Sequence, residues 1–284
     1  MLDRSIRIKQ CPAQVPETFS RGLFHDRIIP PISSLKLASV MDDLLAFARA
    51  EMNKPSDARR RSRLVRHSVP KMKHLRRHFG IPNPYSQSML SIVVAENWER
   101  LNALCKKSSV ALSRPIPSPR RAVASEHSRR IEGVRRSHTS IGRRFMLKAD
   151  IASFYPSIYR HSIPWAIHGK GVARSRRARK WYGNQIDTWM RETQDRQTGG
   201  IPIGPDTSFL IAEVVASSMD LMIEKIMKQK LHGVRYIDDY HLYFKTRADA
   251  EKALAALHVV TQSFELQING PKTEIIEIPD GNAR

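Results

Sequence analysis

Asp150 closes an apolar run, RRFMLKAD, that reads as a β-strand ending in an acid. Asp238 and Asp239 stand where two short strand-like runs meet in VRYIDDYHLYF, the pattern of a hairpin. From Arg143 the predicted order is strand, helix, helix, hairpin, helix, strand. That order predicts a split βαβ arrangement, an antiparallel sheet backed by helices. In such a sheet the first strand lies beside the central hairpin. Carboxylates 88 positions apart (238 minus 150) then converge on one edge. Three clustered carboxylates repel one another unless cations sit among them. Oxygen-only ligands select hard ions, Mg²⁺ before others. Two such ions roughly 3.5–4 Å apart can activate a 3′-hydroxyl and steady a leaving pyrophosphate. Each part alone is ordinary, since Asp-Asp in a tight turn is common turn chemistry. The joint occurrence in this order carries the argument.

The elements that must hold these acids are readable around them. FLIAEVVASSMDLMIEKIMKQKL is a long helix, with Asp206 or Thr207 as its N-cap. TRADAEKALAALHVVTQSFEL is a second helix, opened by Thr246, and INGPKTEIIEI is a turn and a last strand. Upstream, Ser33 to Met52 is amphipathic and helical, and SMLSIVVAENWERLNALCKK reads as one helix through Lys107. Two basic runs, Arg59 to Arg66 and Lys71 to His78, have helical propensity. Residues 108–140 read as an extended arm or strand pair rich in Ser, Pro and Arg.

Composition narrows the function classes. The 284 residues carry 48 Lys+Arg against 27 Asp+Glu, a formal charge of +21, which favours a polyanionic partner. Two cysteines, Cys11 and Cys105, exclude a disulfide framework and a multi-cysteine zinc site. The most apolar stretch, Phe209 to Met227, is interrupted by Glu213, Asp220 and Glu224, so no membrane span is expected. The N-terminus lacks an apolar signal core, and a cytoplasmic protein is expected. No Walker loop, HExxH pair or Ser/Cys nucleophile motif is present.

At the level of motifs the chain resembles the reverse transcriptases. Lys148-Ala149-Asp150-Ile151-Ala152-Ser153-Phe154-Tyr155 is similar to their first palm motif. Tyr236-Ile237-Asp238-Asp239 is similar to their aromatic-x-Asp-Asp motif. Gly200-Ile-Pro-Ile-Gly-Pro-Asp-Thr-Ser208 resembles the loop between them, and Asn269-Gly-Pro-Lys272-Thr273 the following lysine motif. Ile203 stands where most of the family has Gln, which puts template handling in doubt. GIPIGPDTS, IPNPYSQ and ENW are most similar to the bacterial abortive-infection and defence-associated group.

The resemblance implies an α+β, right-hand fingers–palm fold with a split βαβ antiparallel palm sheet and a helical N-terminal region. The thumb is expected to be absent or truncated. The implied division is a basic helical N-terminal or fingers region over 1–110, a fingers arm over 111–149 and a palm over 150–284. Within the palm, 169–200 is a basic fingers-type insertion. The implied activity is RNA-directed DNA synthesis on two Mg²⁺ ions in a bacterial cytoplasm, in antiphage defence. Some relatives are reported to extend DNA without a template or from a protein primer.

Asp150 and Asp238 would hold the metals, with Asp239 supporting and the Ile151 carbonyl adding a ligand. Tyr155 matches the position that excludes a ribose 2′-hydroxyl, with plain packing as its alternative. Lys272 matches the lysine that protonates pyrophosphate, with a solvated turn lysine as its alternative. Gly204 would let backbone approach the nucleotide, with a simple turn glycine as its alternative, and Arg130, with Arg121, would meet the triphosphate, with nucleic-acid phosphates or no partner as the alternative. Arg120 and Arg129 are further candidates. Arg59, Arg60, Arg61, Arg63, Arg176 and Arg177 would contact nucleic-acid phosphates, with a solvated face as the alternative. Implied partners are an RNA template or non-coding RNA, the DNA product, dNTPs, and a second subunit or further copy of the chain. Three other readings remain: a silent palm that binds structured RNA or a partner, a retron or group II intron type, and an RNA polymerase or nucleotidyl transferase on the same palm.

Overall fold

The computed structural model describes residues 40–55, 58–71, 74–118, 122–175 and 181–278. Helix α1 spans Met41–Met52. A hairpin follows, β1 (Val65–Pro70) against β2 (Arg76–Ile81), in register from Val65–Ile81 to Pro70–Arg76. Helical propensity in the two basic runs is overridden here. Val65, Val69 and Pro70 favour extended backbone, Phe79 is fully buried, and the Gly80 N–H donates to the Ile203 carbonyl at 2.9 Å.

The stretch expected as one helix through Lys107 is two, α2 (Pro84–Glu96) and α3 (Trp98–Cys105), divided at Asn97. Asn83 caps α2 by accepting from the Tyr85 N–H at 2.9 Å, with Pro84 at the first helical position. The 108–140 region contains the expected strand pair, β3 (Pro115–Pro117) with β4 (Val123–Ser125). It also contains an unexpected helix, α4 (Arg129–Ser140), none of whose residues is buried.

A four-stranded antiparallel sheet follows, in the order β6 (Gly233–Tyr236), β7 (Asp239–Phe244), β5 (Phe145–Asp150), β8 (Glu274–Glu277). The intervening helices are α5 (Phe154–Ser157), α6 (Ser162–His168), α7 (Lys170–Ser175), α8 (Tyr182–Glu192) and α9 (Asp206–Met227). Helix α10 (Arg247–Ser263) joins the hairpin to β8 and packs on β5, β7 and β8. Thr246 caps α10 by accepting from the Asp249 N–H. Lys228, left-handed at φ 54°, closes α9. α8 lies against α2 and α6 and buries Ile186, Trp189 and Met190. One apolar cluster reaches from Ala48 on α1 to Leu266 after α10.

Asp206 is the first residue of α9, not its cap. Its carboxylate is buried and accepts from the Val123 N–H at 2.9 Å, which fastens β4 to the start of the helix. Among the described residues no helix is long and apolar enough to cross a membrane.

Candidate active site

The register of the sheet brings the acids together. Asp150, the last residue of β5, pairs directly with Asp239, the first residue of β7. Tyr236 ends β6 opposite the same Asp239, so Ile237 and Asp238 form the turn between β6 and β7. Ile237 has φ 59°, a conformation that costs a β-branched residue energy and persists only where neighbours impose it.

Asp150 is almost fully buried and is held from one side by the Asn269–Lys272 turn. The Asn269 N–H donates to the Asp150 carbonyl at 2.8 Å, and Asn269 Nδ2 to Asp150 Oδ2 at 2.8 Å. Lys272 Nζ lies 3.2 and 3.1 Å from the two carboxylate oxygens. Arg129, at the start of α4, reaches Asp239 Oδ2 at 2.6 Å, and its guanidinium stands 5.0 Å over the Tyr236 ring. Burial, then the negative charges of Asp239 and Asp150, push the Asp238 carboxyl up to about 6. Burial and the hydrogen bond with Asp150 raise Asp239 as well, against the pull of Arg129.

Burial and neighbouring negative charge thus disfavour the charged forms of Asp238 and Asp239. Among the described residues no three His, Cys, Asp or Glu side chains close around a single point. Lys272 and Arg129 supply the positive charge at Asp150 and Asp239.

The other expected site residues sit as follows. Ile151 bridges Ile268, within a short antiparallel contact where the Ala152 N–H donates to the Gln267 carbonyl. Tyr155 lies half-buried in α5, edge-on to Phe154 at 6.0 Å, and its carbonyl accepts the Ile201 N–H. Gly204 has φ 136°, beside the start of α9. Arg130 is exposed on α4, and its neighbour Arg129 makes the carboxylate contact.

Arg59 is a correction: it is buried, stacked 4.4 Å over Trp189, and donates to the Met52 carbonyl. Its apolar stem and flat guanidinium pack like a core side chain, so it is not at a phosphate-facing surface. Arg60 and Arg61 are exposed, and Arg63 is exposed and paired with Asp195 at 3.0 Å. Arg121, Arg176 and Arg177 lie outside the described residues, as does Arg120.

Sequence reasoning missed what holds the hairpin tip. Arg235 is completely buried between Glu213 and Asp220 of α9. The signal was present as acids inside an otherwise apolar helix, where they served only to exclude a membrane span. Asn269, the first residue of the lysine motif, ties that turn to Asp150.

A family model described as reverse transcriptase (RNA-dependent DNA polymerase) matches residues 81–280, well over half of the chain. The chain belongs to the reverse transcriptase family. No curated protein sequence matches it.

Among solved structures, this reverse transcriptase is similar in fold to apo telomerase from Candida tropicalis truncated from its C-terminal domain. The TM-score is 0.53 at 13% identity, over 87% of this chain and 56% of that one. The untruncated apo telomerase gives 0.54 at 12% identity, over 94% and 54%. Telomerase from Candida albicans, in complex with a TWJ fragment of telomeric RNA, gives 0.55 at 13%, over 90% and 49%. The reverse transcriptase spans about half the length of these structures, and at such identities the likeness concerns fold alone.

Proposed function

We propose that this chain is the fingers and palm of an RNA-directed DNA polymerase of bacterial antiphage defence, acting in the cytoplasm on dNTPs. The observation that carries the reading is the β5–β7 register, which pairs Asp150 with Asp239 and leaves Asp238 at the adjoining turn. An all-oxygen donor set, with one carboxyl pushed up to about 6 by burial and by its neighbours, fits a pair of Mg²⁺ ions. When bound, Mg²⁺ supplies Lewis-acid activation of a primer 3′-hydroxyl and charge for the departing pyrophosphate.

Asp150 and Asp238 would hold the ions, with Asp239 supporting and the Ile151 carbonyl adding a ligand. Lys272, mostly exposed and 3.1 Å from Asp150, carries its proton at Nζ toward the leaving group. Tyr155 excludes a 2′-hydroxyl, and Arg129 and Arg130 face the triphosphate. Arg60, Arg61 and Arg63 contact nucleic-acid phosphates.

The defence group is supported by GIPIGPDTS, whose Ile203 replaces the family's Gln. The same replacement bears on how the template strand is handled, and untemplated or protein-primed synthesis is the variant of this reading that follows the defence group. An RNA partner is supported by the charge of +21 and by the RNA-bound telomerase of similar fold. A second copy of the chain or another subunit is a further partner of this reading.

One specific observation favours a second reading, a silent palm that binds structured RNA: Lys272 and Arg129 already neutralise Asp150 and Asp239. The experiment that separates the two is Mg²⁺-dependent incorporation of labelled dNTP by wild type and Asp238→Asn. Loss of incorporation in the variant supports the polymerase. Incorporation unchanged by Asp238→Asn refutes the site, and an inactive wild type with tight, salt-sensitive RNA binding supports the silent palm.

A further inference from the structure

Arg235 and Tyr240 are cross-strand partners, as are Tyr236 and Asp239. Because side chains alternate along a strand, the first pair faces α9 while the second faces the acids. The helix-facing side is an unusual interior. Arg235, Glu213, Asp220 and Ser217 are all buried, and the three α9 residues recur every three or four positions along one face. Arg235 Nε donates to both Asp220 oxygens, at 3.1 and 2.9 Å, and Nη1 donates to Glu213 Oε1 at 2.5 Å. Tyr240 Oη and Ser108 Oγ donate to Asp220, at 2.9 and 2.6 Å. Ser113 Oγ donates to Glu213 Oε1 at 2.9 Å.

Among the described residues two bonds from this cluster end on Ile237, while Ser108 Oγ accepts the Val110 and Ala111 N–H groups at 3.3 and 3.1 Å. Arg235 Nη1 donates to the Ile237 carbonyl at 2.8 Å, and Ser113 Oγ accepts the Ile237 N–H at 2.8 Å. Ile237 is the left-handed residue whose conformation aims Asp238. The segment carrying Ser113 is itself tied to β6. The Arg235 N–H donates to the Val110 carbonyl at 2.7 Å, and the Leu112 N–H to the Arg235 carbonyl at 2.8 Å. A buried ion cluster of this kind adds little net stability compared with an apolar core. Its outward bonds fix one backbone geometry at the tip.

We propose that Ser113 and Arg235 are positioning residues, which clamp both backbone polar groups of Ile237 and so hold Asp238 at the spacing from Asp150 that a divalent cation needs. The proposal rests on the polymerase reading only for its kinetic consequence.

The test is a matched pair of variants, Ser113→Ala and Ser108→Ala. Each deletes one buried hydroxyl that donates to a buried carboxylate of the same cluster, but only Ser113 also holds Ile237. Mn²⁺ affinity, read by electron paramagnetic resonance on the whole chain, is the primary measurement. Melting temperature and the kcat and KM for dNTP incorporation accompany it. Both variants lower the melting temperature, Ser108→Ala at least as much as Ser113→Ala, because Ser108 Oγ also accepts the Val110 and Ala111 N–H groups. Ser113→Ala alone weakens Mn²⁺ binding, by roughly 5- to 10-fold, the effect of one lost hydrogen bond. It also lowers kcat with little change in KM.

Equal Mn²⁺ affinity in the two variants overturns the proposal even if the wild type polymerises. A selective Mn²⁺ defect in a chain that incorporates no dNTP upholds the clamp and sinks only the polymerase reading. A wild type that binds no Mn²⁺ overturns both.

Discussion

Gly200 offers a sharp test of how the central loop is seated. The loop lies along the segment that carries Tyr155: the Gly200 N–H donates to the Ile158 carbonyl at 3.1 Å, and the Ile201 N–H to the Tyr155 carbonyl at 2.9 Å. Gly199 bridges Tyr159 in the same alignment. Gly200 has φ 74°, and a Cβ there would meet the Pro156 carbonyl oxygen at 2.7 Å and its carbon at 3.2 Å. Both are backbone atoms, so no side chain can swing aside. Left-handed backbone costs an alanine roughly 1 kcal/mol or more. Forced overlap adds about 1–3 kcal/mol.

The Gly200→Ala variant is therefore expected to lose about 2–4 kcal/mol, a fall in melting temperature of roughly 5–15 °C for a chain of this size. Gly199→Ala is the control. Nothing lies within 4 Å of a Cβ at Gly199, and its φ is not positive. It should stay within about 1 kcal/mol of wild type, on either side. Calorimetry of the three proteins side by side decides the matter. Variants that melt together, or Gly199→Ala melting lower than Gly200→Ala, would refute the packing argument. Because the displaced atoms belong to the α5 segment, Gly200→Ala should also raise the KM for dNTP more than Gly199→Ala does.

Other expectations follow from single contacts. The His168 ring accepts the Gly183 N–H at 3.2 Å, and burial keeps its imidazole below the usual histidine range. Below about pH 6.5 the unfolded chain takes up a proton that the native ring resists, so stability falls as pH falls. His168→Gln should flatten the melting profile between pH 7 and 5, and parallel profiles would count against the assignment. Tyr155→Val should raise ribonucleotide use relative to deoxynucleotide by roughly tenfold or more in kcat/KM; an unchanged ratio removes Tyr155 from the sugar-selecting role. Arg59→Ala should lower stability by about 1–3 kcal/mol without altering the salt dependence of RNA binding. Arg61→Ala, on an exposed side chain, should do the reverse and reduce the salt slope by about 1.

Local pattern carried the palm a long way. The apolar run that Asp150 closes, the two aspartates at the hairpin and the Thr246 cap all act within a few residues, and the first strand lies beside the hairpin as expected. The hairpin turn falls at Ile237-Asp238, one residue before the expected joint at Asp238-Asp239. The basic runs around Arg59 and Arg76 were misread because arginine and lysine favour helices in isolation. Only Val65-Arg66 of the first run and Arg76 to His78 of the second are strand, in a hairpin that depends on the remote Ile203 carbonyl and on the burial of Phe79. Asp206 was misplaced for a similar reason: its partner, the Val123 N–H, is 83 residues away.

By itself the chain's sequence determined which residue types were available for phosphate chemistry and in what order they would meet. The tertiary structure alone decided which arginine serves which purpose. Arg59 stacks inside, Arg129 reaches an aspartate and Arg235 braces the turn from beneath. A guanidinium has the same charge and reach in every local context. Its role follows from which carboxylate, ring or carbonyl the fold places within about 3–6 Å of it, and no local pattern encodes that distance.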